Sequence, residues 1–544
     1  MQEPGLDNMK QLTGFLIIIA AICFSGCSSG VDNKFYTDYG IQKDDIIRVE
    51  ITGDDITGDD ITATIDLGET KQVEVVGYEA GGDSTGNLST TWSSSDQNIA
   101  VVDSTGKITA VSPGKADITV QVSNNETGEN ISDVIVVTVL PPINSDKKWS
   151  VSSVKLPQAI WDHASAIWNG YVYVAGGNSA CTAVFDSCGF TDNVYYARKN
   201  EDGSISDFIR TAPLPRFLKG HSLLAHKGYL YVIGGIVQTY YPIATIPHPD
   251  PPYPNPDFDY DNYETILNGR VFYSKIGPDG RLGNWIETKP LPPSDKLPPE
   301  LMTSDPDIAG IFGQSATAHT ISNNGYIYVT GGWNSKLKSN LDTTLVGVIN
   351  SSDGSISEWI HNDQSDLPYN LSKHTSVAAT VNGSSYLYVI GGNSGDTGSQ
   401  IIHNEIIYAK IDNDGILFPW EYSSGVLPVG VIDHATASQG RHIFVIGGRD
   451  GDGGAYKDEY GVYKEETKYN IFNKVLYYYI SDTGNLQPMQ RLADLPVPLF
   501  HHAAVADINN STSSINIYVT GGAGGDTEDT NNRNDKVYYL PYIP

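Results

Sequence analysis

Histidines recur in this sequence at a fixed spacing, and imidazole is the side chain best suited to bind metals or move protons near neutral pH. Five Leu-Pro pairs are each followed, six residues after the proline, by a histidine, and one further copy of the surrounding unit has glutamine there. The six positions are His163, His221, Gln314, His374, His434 and His502. They form either a ring that binds a metal or an anionic ligand, or a set of packing contacts in which each side chain bonds the backbone of a neighbouring repeat.

Carboxylates are the second candidate for chemistry, because the chain is strongly acidic. Its 64 aspartates and glutamates against 34 lysines and arginines give a formal net charge of −30. Such a surface repels nucleic acid, whose affinity for proteins comes from basic contacts with phosphate. The segment Asp450–Gly454 is similar in spacing to a calcium loop but lacks its distal glutamate. We therefore predict no cofactor, with calcium at Asp450 and Asp452 as the alternative.

The cysteines divide into two pairs. Cys181 and Cys188 lie seven residues apart in one predicted loop, and no nearby histidine completes a metal site with them. In an oxidising compartment this pair is expected to form a local disulfide. In the chain-entropy model a loop this short contributes about 2–3 kcal/mol.

The other two cysteines belong to a targeting segment. The apolar run from Phe15 to Phe24 follows Lys10 and is too short to span a bilayer, which takes about 20 residues, so it is typical of a secretory signal. It ends in Phe24-Ser25-Gly26-Cys27, which resembles the bacterial lipobox. The resemblance implies cleavage before Cys27, acylation of Cys27 and a lipid anchor in the bacterial cell envelope. Ser28 after Cys27 is compatible with sorting to the outer membrane, with the body periplasmic or surface-exposed. We predict a signal over residues 1–27 and a polar tether over 28–45.

One unit of sequence repeats from Trp149 onwards. An alternating, tyrosine-rich strand that ends in a glycine pair occurs six times, at 171–177, 229–235, 326–332, 386–392, 442–448 and 516–522. The Leu-Pro-histidine spacing keeps register with it, and so does a glycine followed five residues later by a large apolar side chain, as in Gly280 and Trp285. Each unit therefore predicts four strands, and four-stranded units repeated around an axis make a propeller.

The glycine pair and the later tryptophan resemble the Kelch repeat, and the resemblance spans residues 148–544. It implies an all-β, six-bladed β-propeller. The last copy stops after its third strand, at Tyr539, and the segment from Trp149 to Pro157 supplies the missing fourth strand. This arrangement avoids an unpaired edge strand. In such a propeller the six repeated positions open the innermost strands and face a central channel. A metal site there would need several imidazoles within about 2.1 Å of one ion.

 The channel of a six-bladed ring is wider than that, so the spacing favours packing contacts over a metal centre.

A smaller domain precedes the repeats, over residues 46–141, with a linker over 142–147. It shows short alternating strands separated by turn residues, which predicts a β-sandwich. The run from Thr91 through Trp92 to Gly106 and Gly114 resembles the bacterial group 2 immunoglobulin-like (Big2) domain. The resemblance implies that Trp92 is a central core residue, that both glycines are turn positions, and that the domain serves as a spacer.

Two long loops carry exposed aromatic residues on the same face as the histidines. The loops cover 236–268 and 449–473, and their aromatic residues include Tyr240, Tyr241, Tyr253, Phe258, Tyr260, Tyr263, Tyr456 and Tyr460. Aromatic rings offer flat apolar surfaces with polar edges, which suit carbohydrate or protein ligands. The alternative is that the loops pack on themselves.

These patterns favour a non-catalytic, envelope-anchored binding protein whose partners are a carbohydrate or a protein, with the membrane contacted through the lipid anchor only. No catalytic residue is assigned, because the sequence has no nucleophile elbow, phosphate loop or zinc helix motif. Some Kelch-like propellers are sugar epimerases or oxidases, so a sugar-active enzyme is one alternative. A passive envelope scaffold is the other.

Overall fold

The structure is a computed structural model that describes most of the chain in two parts. It covers residues 46–53, 62–79, 84–85, 88–123, 130–144, 147–179, 189–239, 264–294, 305–395, 400–451, 454–457, 463–466, 469–509, 512–524 and 533–544. The chain divides into two compact units, Met1–Leu140 and Pro141–Pro544. The described residues form strands, together with short 3-10 helices at Pro306–Ala309 and Asp363–Ser365. None of the helices in the described ranges is long and apolar enough to cross a membrane.

The described residues of the first unit form ten strands in three small sheets. They are β1 (Ile46–Thr52), β2 (Thr62–Asp66), β3 (Thr70–Gln72), β4 (Glu74–Glu79), β5 (Ser84–Thr85), β6 (Thr90–Ser94), β7 (Ala100–Val102), β8 (Lys107–Ala110), β9 (Gly114–Ser123) and β10 (Asn130–Leu140). The sheets have the orders β2-β10-β9-β6, β1-β4-β5 and β3-β8-β7. Alternate residues of β9, such as Ile118 and Val120, are fully buried, which gives the unit a core on one face of each sheet.

The residues that resemble the immunoglobulin-like family lie at the edge of this core. Trp92 lies in the edge strand β6 and is half-buried against the core, so it is peripheral rather than central. Gly106 has a φ of +79°, and a Cβ there would lie 2.6 Å from the carbonyl oxygen of Val73, so glycine is required. Gly114 also has positive φ, but it begins strand β9 instead of a turn.

The second unit contains strands β11 to β46. Its first third has β11 (Ser150–Val151), β12 (Ile160–Trp161), β13 (Ala164–Trp168), β14 (Tyr171–Ala175), β15 (Asn178–Ser179), β16 (Gly189–Phe190), β17 (Val194–Arg198), β18 (Ile209–Arg210), β19 (Leu218–Lys219), β20 (Ser222–His226), β21 (Tyr229–Ile233), β22 (Ile236–Thr239), β23 (Glu264–Leu267), β24 (Val271–Lys275) and β25 (Ile286–Thr288). The middle has β26 (Ser315–Ile321), β27 (Asn324–Thr330), β28 (Trp333–Asn334), β29 (Ser339–Asn340), β30 (Thr344–Ile349), β31 (Ile356–His361), β32 (Thr375–Val381), β33 (Ser384–Ile390), β34 (Asn393–Ser394), β35 (Ile401–Ile402), β36 (Ile406–Ile411) and β37 (Glu421–Tyr422). The last part has β38 (Ala435–Gln439), β39 (His442–Ile446), β40 (Gly454–Lys457), β41 (Tyr463–Glu466), β42 (Val475–Tyr479), β43 (Gln490–Arg491), β44 (Ala503–Asn509), β45 (Ser514–Thr520) and β46 (Val537–Tyr542).

Six four-stranded antiparallel sheets organise this unit, one for each copy of the repeat. We number them in chain order: sheet 1 is β13-β14-β17-β18, sheet 2 is β20-β21-β24-β25, sheet 3 is β26-β27-β30-β31, sheet 4 is β32-β33-β36-β37, sheet 5 is β38-β39-β42-β43, and sheet 6 is β44-β45-β46-β11. The tyrosine-rich strand that ends in Gly-Gly is the second strand of every sheet, as the repeat predicted. Shorter ladders, such as β12-β15-β16 and β19-β22-β23, extend the loops after it.

Consecutive sheets pack against each other through apolar clusters. The first strand of each sheet contacts the first strand of the next, and β44 of sheet 6 contacts β13 of sheet 1. One cluster joins sheets 1 and 6 through Val172, Val174, Val505 and Tyr518. The buried apolar residues therefore lie between sheets, and each sheet is stabilised by both of its neighbours.

Sheet 6 is assembled from both ends of the unit. β11, near the start, pairs antiparallel with β46, near the end, with Ser150 opposite Tyr539 and Val151 opposite Tyr538. Trp149 is buried beside it, and its indole nitrogen donates a hydrogen bond to the carbonyl oxygen of Ala493 over 2.7 Å. The fourth strand predicted from the ends of the sequence is therefore present.

Candidate functional site

The six repeated polar positions lie in the contacts between sheets. Each side chain stands at the start of a first strand and is buried, with 4–6% of the residue exposed. His163, His374 and His434 each place Nε2 within 2.8–2.9 Å of a threonine Oγ1, and those of Thr520 and Thr330 belong to the preceding sheet. Thr375, the partner of His434, also belongs to the preceding sheet, so these three histidines bridge sheets through hydroxyl groups. Nε2 of Gln314 instead donates to the backbone carbonyl oxygen of Ile233 in the preceding sheet over 2.9 Å, which is the kind of contact we expected.

The glycine pairs explain why these positions keep register with them. In every pair the second glycine donates its backbone N–H to a carbonyl oxygen of the following sheet over 2.7–2.9 Å. The bonds run from Gly177 to Leu218, Gly235 to Ile311, Gly332 to Leu371, Gly392 to Val431, Gly448 to Leu499 and Gly522 to Ile160. We call each of these contacts a joint and name it by its sheets, from joint 1–2 to joint 6–1.

The first glycine of each pair leaves room for the side chain of the next sheet. A Cβ on Gly521 would lie 2.6 Å from Cε1 of His163, and a Cβ on Gly176 would lie 2.4 Å from Cε1 of His221. The second glycine packs against the Cβ of its own sheet's histidine, as Gly177 does against His163. Each imidazole therefore fits between two glycines, and any larger residue would force the sheets apart.

A second series of residues, one position earlier, forms the turns that enter the first strands. All six adopt positive φ, between 51° and 68°, although four of them are not glycine: Asp162, Gly220, Gly313, Lys373, Asp433 and His501. Backbone hydrogen bonds link the series from sheet to sheet, with Asp162 N–H donating to the carbonyl oxygen of His501, and His501 N–H to that of Asp433. We call these six residues the turn ring.

The side chains of the turn ring make a charged cluster on one side. Nδ1 of His501 lies 2.6 Å from Oδ1 of Asp162 and 3.4 Å from Oδ1 of Asp433. Asp162 also faces Nζ of Lys219 at 3.3 Å, and Asp433 faces Nη2 of Arg449 at 2.7 Å. These five residues, which we call the charged cluster, come from sheets 1, 2, 5 and 6 and are mostly buried.

The cluster keeps both aspartates ionised. Burial alone would raise the pKa of Asp162, but the charges and hydrogen bonds of His501 and Lys219 lower that pKa below its usual range. Burial opposes the same shift at Asp433, where His501 and Arg449 lower the pKa to about 2. At neutral pH the two carboxylates are therefore paired anions, and neither is placed to act as a general acid.

Aromatic rings surround the charged cluster. Trp161 contacts His501 edge-on, with ring centroids 5.2 Å apart, and Nζ of Lys219 lies 5.4 Å from the centre of the Trp161 ring. The guanidinium carbon of Arg449 lies 5.0 Å from the ring of Tyr469 and also 5.0 Å from that of Phe500. Charged and aromatic side chains thus converge at one end of the six first strands, a combination suited to polar ligands with apolar faces.

Within the described ranges, the residues placed closely enough to share a metal ion lie away from the repeated histidines. There, the one group of His, Cys, Asp and Glu close enough to share an ion is His361, Asp363 and Asp366, and it includes none of the repeated histidines. Asp450, a candidate calcium ligand, accepts hydrogen bonds from the backbone N–H and the side-chain amide of Asn470 at 2.6 and 2.9 Å. Burial raises the pKa of Asp450.

Most of the other predicted site residues lie outside the described ranges. These are Cys27, Cys181, Cys188, Tyr240, Tyr241, Tyr253, Phe258, Tyr260, Tyr263, Tyr460 and Asp452. The backbone of Tyr456 belongs to β40, which pairs with β41. The lipidation, the disulfide and the aromatic-loop ligand site therefore remain predictions.

The sequence carries a signal for the turn ring. The position before each repeated histidine changes from copy to copy, through Asp, Gly, Gly, Lys, Asp and His, while the histidine itself changes once. The repeated position is confined between glycines, whereas the position before it varies in charge and size from copy to copy.

Comparison with known proteins supports the fold of the first unit. Residues 55–131 match the bacterial Ig-like domain (group 2) family, Big_2, whose domains occur in bacterial surface or envelope proteins. Among solved structures, that of YjhT is similar, with 14% sequence identity, coverage of 72% of this chain and 96% of that chain, and a TM-score of 0.43. No curated protein matches the chain.

Proposed function

We propose that this protein is a non-catalytic binding protein of the bacterial cell envelope, and that it recognises a carbohydrate or protein ligand at the turn ring and charged cluster. One observation carries the proposal. The backbone of the turn ring repeats six times with positive φ, whereas its side chains differ in charge and size from sheet to sheet. Repeated backbone with divergent side chains is the arrangement expected where a symmetric scaffold meets an asymmetric ligand.

The scaffold that we propose is a six-bladed Kelch-type propeller, with the six sheets as its blades. The contact between β44 and β13 supports it, because it links the last sheet to the first. The bridge from His163 to Thr520 and the pairing of β11 with β46 support it further, since both join the two ends of the unit. In such a ring the turns before the first strands lie together around the axis.

A binding role fits the charges better than catalysis does. A general acid or base works best with a pKa near the operating pH, but Asp162 and Asp433 have lowered pKa values and charged partners. A buried, fully paired cluster instead holds neighbouring groups, such as Trp161 and Phe500, in fixed positions. Fixed aromatic and charged groups reduce the entropy that is lost when a ligand binds.

The envelope location rests on the first unit and on the targeting segment. Residues 55–131 belong to a domain type found in bacterial surface or envelope proteins. The lipobox-like sequence ending at Cys27 adds the lipid anchor to the proposal. The first unit then serves as a spacer between the anchor and the binding unit.

A glycan array probed with the purified full-length protein tests the ligand class, and crosslinking in intact cells tests for a protein partner. We expect Trp161→Ala to weaken binding at least tenfold, because it removes an aromatic ring beside the charged cluster. Tyr422→Ala is the matched control, since Tyr422 is an aromatic residue that is 59% exposed on the outer strand of sheet 4. Equal loss in both variants, or loss in the control alone, would contradict the proposed site. Adding calcium to the array tests Asp450 separately.

A further inference from the structure

We propose that the five joints containing a histidine are acid-responsive, so that falling pH loosens them while joint 2–3, which contains Gln314, stays closed. The device is built from the same contacts that hold the sheets together. It requires no ligand and no metal. Its basis is the way in which each imidazole is confined.

Among the described residues, the confinement leaves Nδ1 of every joint histidine without a hydrogen-bond partner, and Nε2 as well in His221 and His502. Within the described residues, Nδ1 is buried and makes no hydrogen bond in any of the five: His163, His221, His374, His434 and His502. In His163, His374 and His434 a neutral imidazole tolerates this, because Nε2 has a hydroxyl partner and Nδ1 can remain bare. A protonated imidazole carries N–H on both nitrogens, so Nδ1 would become a buried donor with no acceptor, which is strongly unfavourable.

The joints offer no space to correct that defect. The Cε1 edge of the ring, next to Nδ1, faces the first glycine of the preceding sheet, where a Cβ on Gly331 would lie 2.9 Å from Cε1 of His374. On the other side, a Cβ on Gly392 would lie 2.7 Å from the Cβ of the same histidine. Separation of the two sheets would give water access to Nδ1.

The charged groups that face the histidines do not cancel the lowering of the histidine pKa values by burial. Asp162 favours the protonated forms of His163 and His221, and Asp433 favours that of His434, but burial outweighs both. The other neighbours are histidines: His163 opposes protonation of His221, and His434 opposes that of His374. His163, His434 and His501 oppose protonation of His502. Burial is the largest cause in all five, and it lowers their pKa values to between about 3 and about 4.

The direction of the response follows from these shifts. A histidine in an open joint regains a pKa near 6.5, so opening takes up one proton wherever the pH lies between the closed and open values. The open fraction of each joint is therefore independent of pH above about pH 6.5. Below it, the open fraction of a joint with one histidine rises up to tenfold for each unit that the pH falls, until about pH 4.

Opening would also disturb the turn ring, because each of its residues directly precedes a repeated position. Asp162, Asp433 and His501 are each followed by a joint histidine. If the proposed ligand binds at the charged cluster, its affinity should fall in acid. That consequence rests on the proposed function, whereas the behaviour of the joints does not.

Hydrogen exchange of the full chain, read by mass spectrometry without ligand, tests the joints directly. The backbone amides of Gly332 and Gly235 close joints 3–4 and 2–3 with bonds of equal length, 2.8 Å. After correction for the intrinsic exchange rate, we expect opening at Gly332 to rise about tenfold from pH 6 to pH 5 and opening at Gly235 to stay constant. Equal pH dependence at both amides would overturn the proposal.

Exchanging the two side chains supplies the matched variants. His374→Gln should abolish the pH dependence at Gly332, and Gln314→His should create it at Gly235, because each variant takes the chemistry that another joint already has. Retained pH dependence at Gly332 in His374→Gln would also overturn the proposal. The comparison of the two joints in the unaltered protein stands even if a variant fails to fold. A failed glycan array would leave all of these readouts unchanged.

Discussion

The phenol hydroxyl of Tyr518 donates a hydrogen bond to the carbonyl oxygen of Gly203 over 2.8 Å, across 315 residues of sequence. The same bond recurs between other consecutive sheets, from Tyr173 to Gly280, Tyr231 to Gly354, Tyr328 to Gly415 and Tyr388 to Gly484. Sheet 5 has Phe444 at this position. Its neighbour, sheet 6, has no hairpin between its third and fourth strands, because its fourth strand comes from the other end of the unit.

Removing the hydroxyl of Tyr518 should weaken the contact between sheets 6 and 1. We expect Tyr518→Phe to lower the free energy of unfolding by about 1–3 kcal/mol, because a buried carbonyl loses its donor. Phe444→Tyr is the converse variant and should also destabilise, since Phe444 is fully buried and would gain a hydroxyl without a hairpin carbonyl to accept it. Urea unfolding measures both. Stabilisation by Phe444→Tyr would refute this account of the series.

The first glycine of a joint should be intolerant of any side chain. Gly521 and Gly440 have nearly identical φ values, +59° and +60°, but a Cβ on Gly440 meets nothing within 4 Å. Gly440→Ala should therefore lower the free energy of unfolding only by the strain of positive φ, about 1–2 kcal/mol. Gly521→Ala should cost about 1–3 kcal/mol more, because the methyl group displaces His163. Equal unfolding midpoints for the two variants would show that the joint is not tightly packed.

Breaking the charged cluster should destabilise the folded protein. Asp433→Asn leaves Arg449 buried without its carboxylate, so we expect a loss of about 3–5 kcal/mol in the free energy of unfolding. The ion pair of Arg441 and Asp482 is the control, because Asp482 is 75% exposed at its side chain. Asp482→Asn should leave the denaturation midpoint almost unchanged. The proposal of a rigid cluster fails if Asp433→Asn behaves like the control.

The pH dependence of stability should separate histidines from aspartates. The joint histidines have lowered pKa values, so unfolding takes up protons and stability falls as the pH drops from about 6.5 towards 4. Asp433, with a pKa of about 2, contributes stability that is present above pH 4 and is lost only in stronger acid. His163→Gln should therefore reduce the slope of stability against pH between 6.5 and 4 by up to about 1.4 kcal/mol per unit. Asp433→Asn should leave the slope in that window unchanged, as urea titrations at several pH values can establish.

The strands of the second unit were predictable because their signals are local and repeated. The alternation before each glycine pair marks the second strand, and the truncated last copy together with Trp149 revealed that β11 completes sheet 6. The link between glycine pairs and histidines was visible as a spacing, but its cause was not. It depends on the approach of residues from different sheets, such as Gly521 and His163.

The charged cluster was not predicted, and the reason is again distance along the chain. Asp162, Asp433 and His501 are far apart in sequence and lie together only because the turn ring repeats in space. Motif searches look for chemistry within one segment, so three single residues in three copies of a repeat gave no signal. Their shared position, directly before the repeated histidine, was the available clue.

The construction of sheet 6 from both ends has a consequence for synthesis of the protein. Sheets 1 to 5 each use one continuous stretch of sequence and can form as the chain is made, but sheet 6 must wait until Tyr542 has emerged. Until then β11 has no partner, and sheets 1 and 5 each expose an apolar face that later contacts sheet 6. A nascent chain stalled before β46 is made would therefore be a ready target for chaperones and proteases, whereas a chain that includes β46 would not.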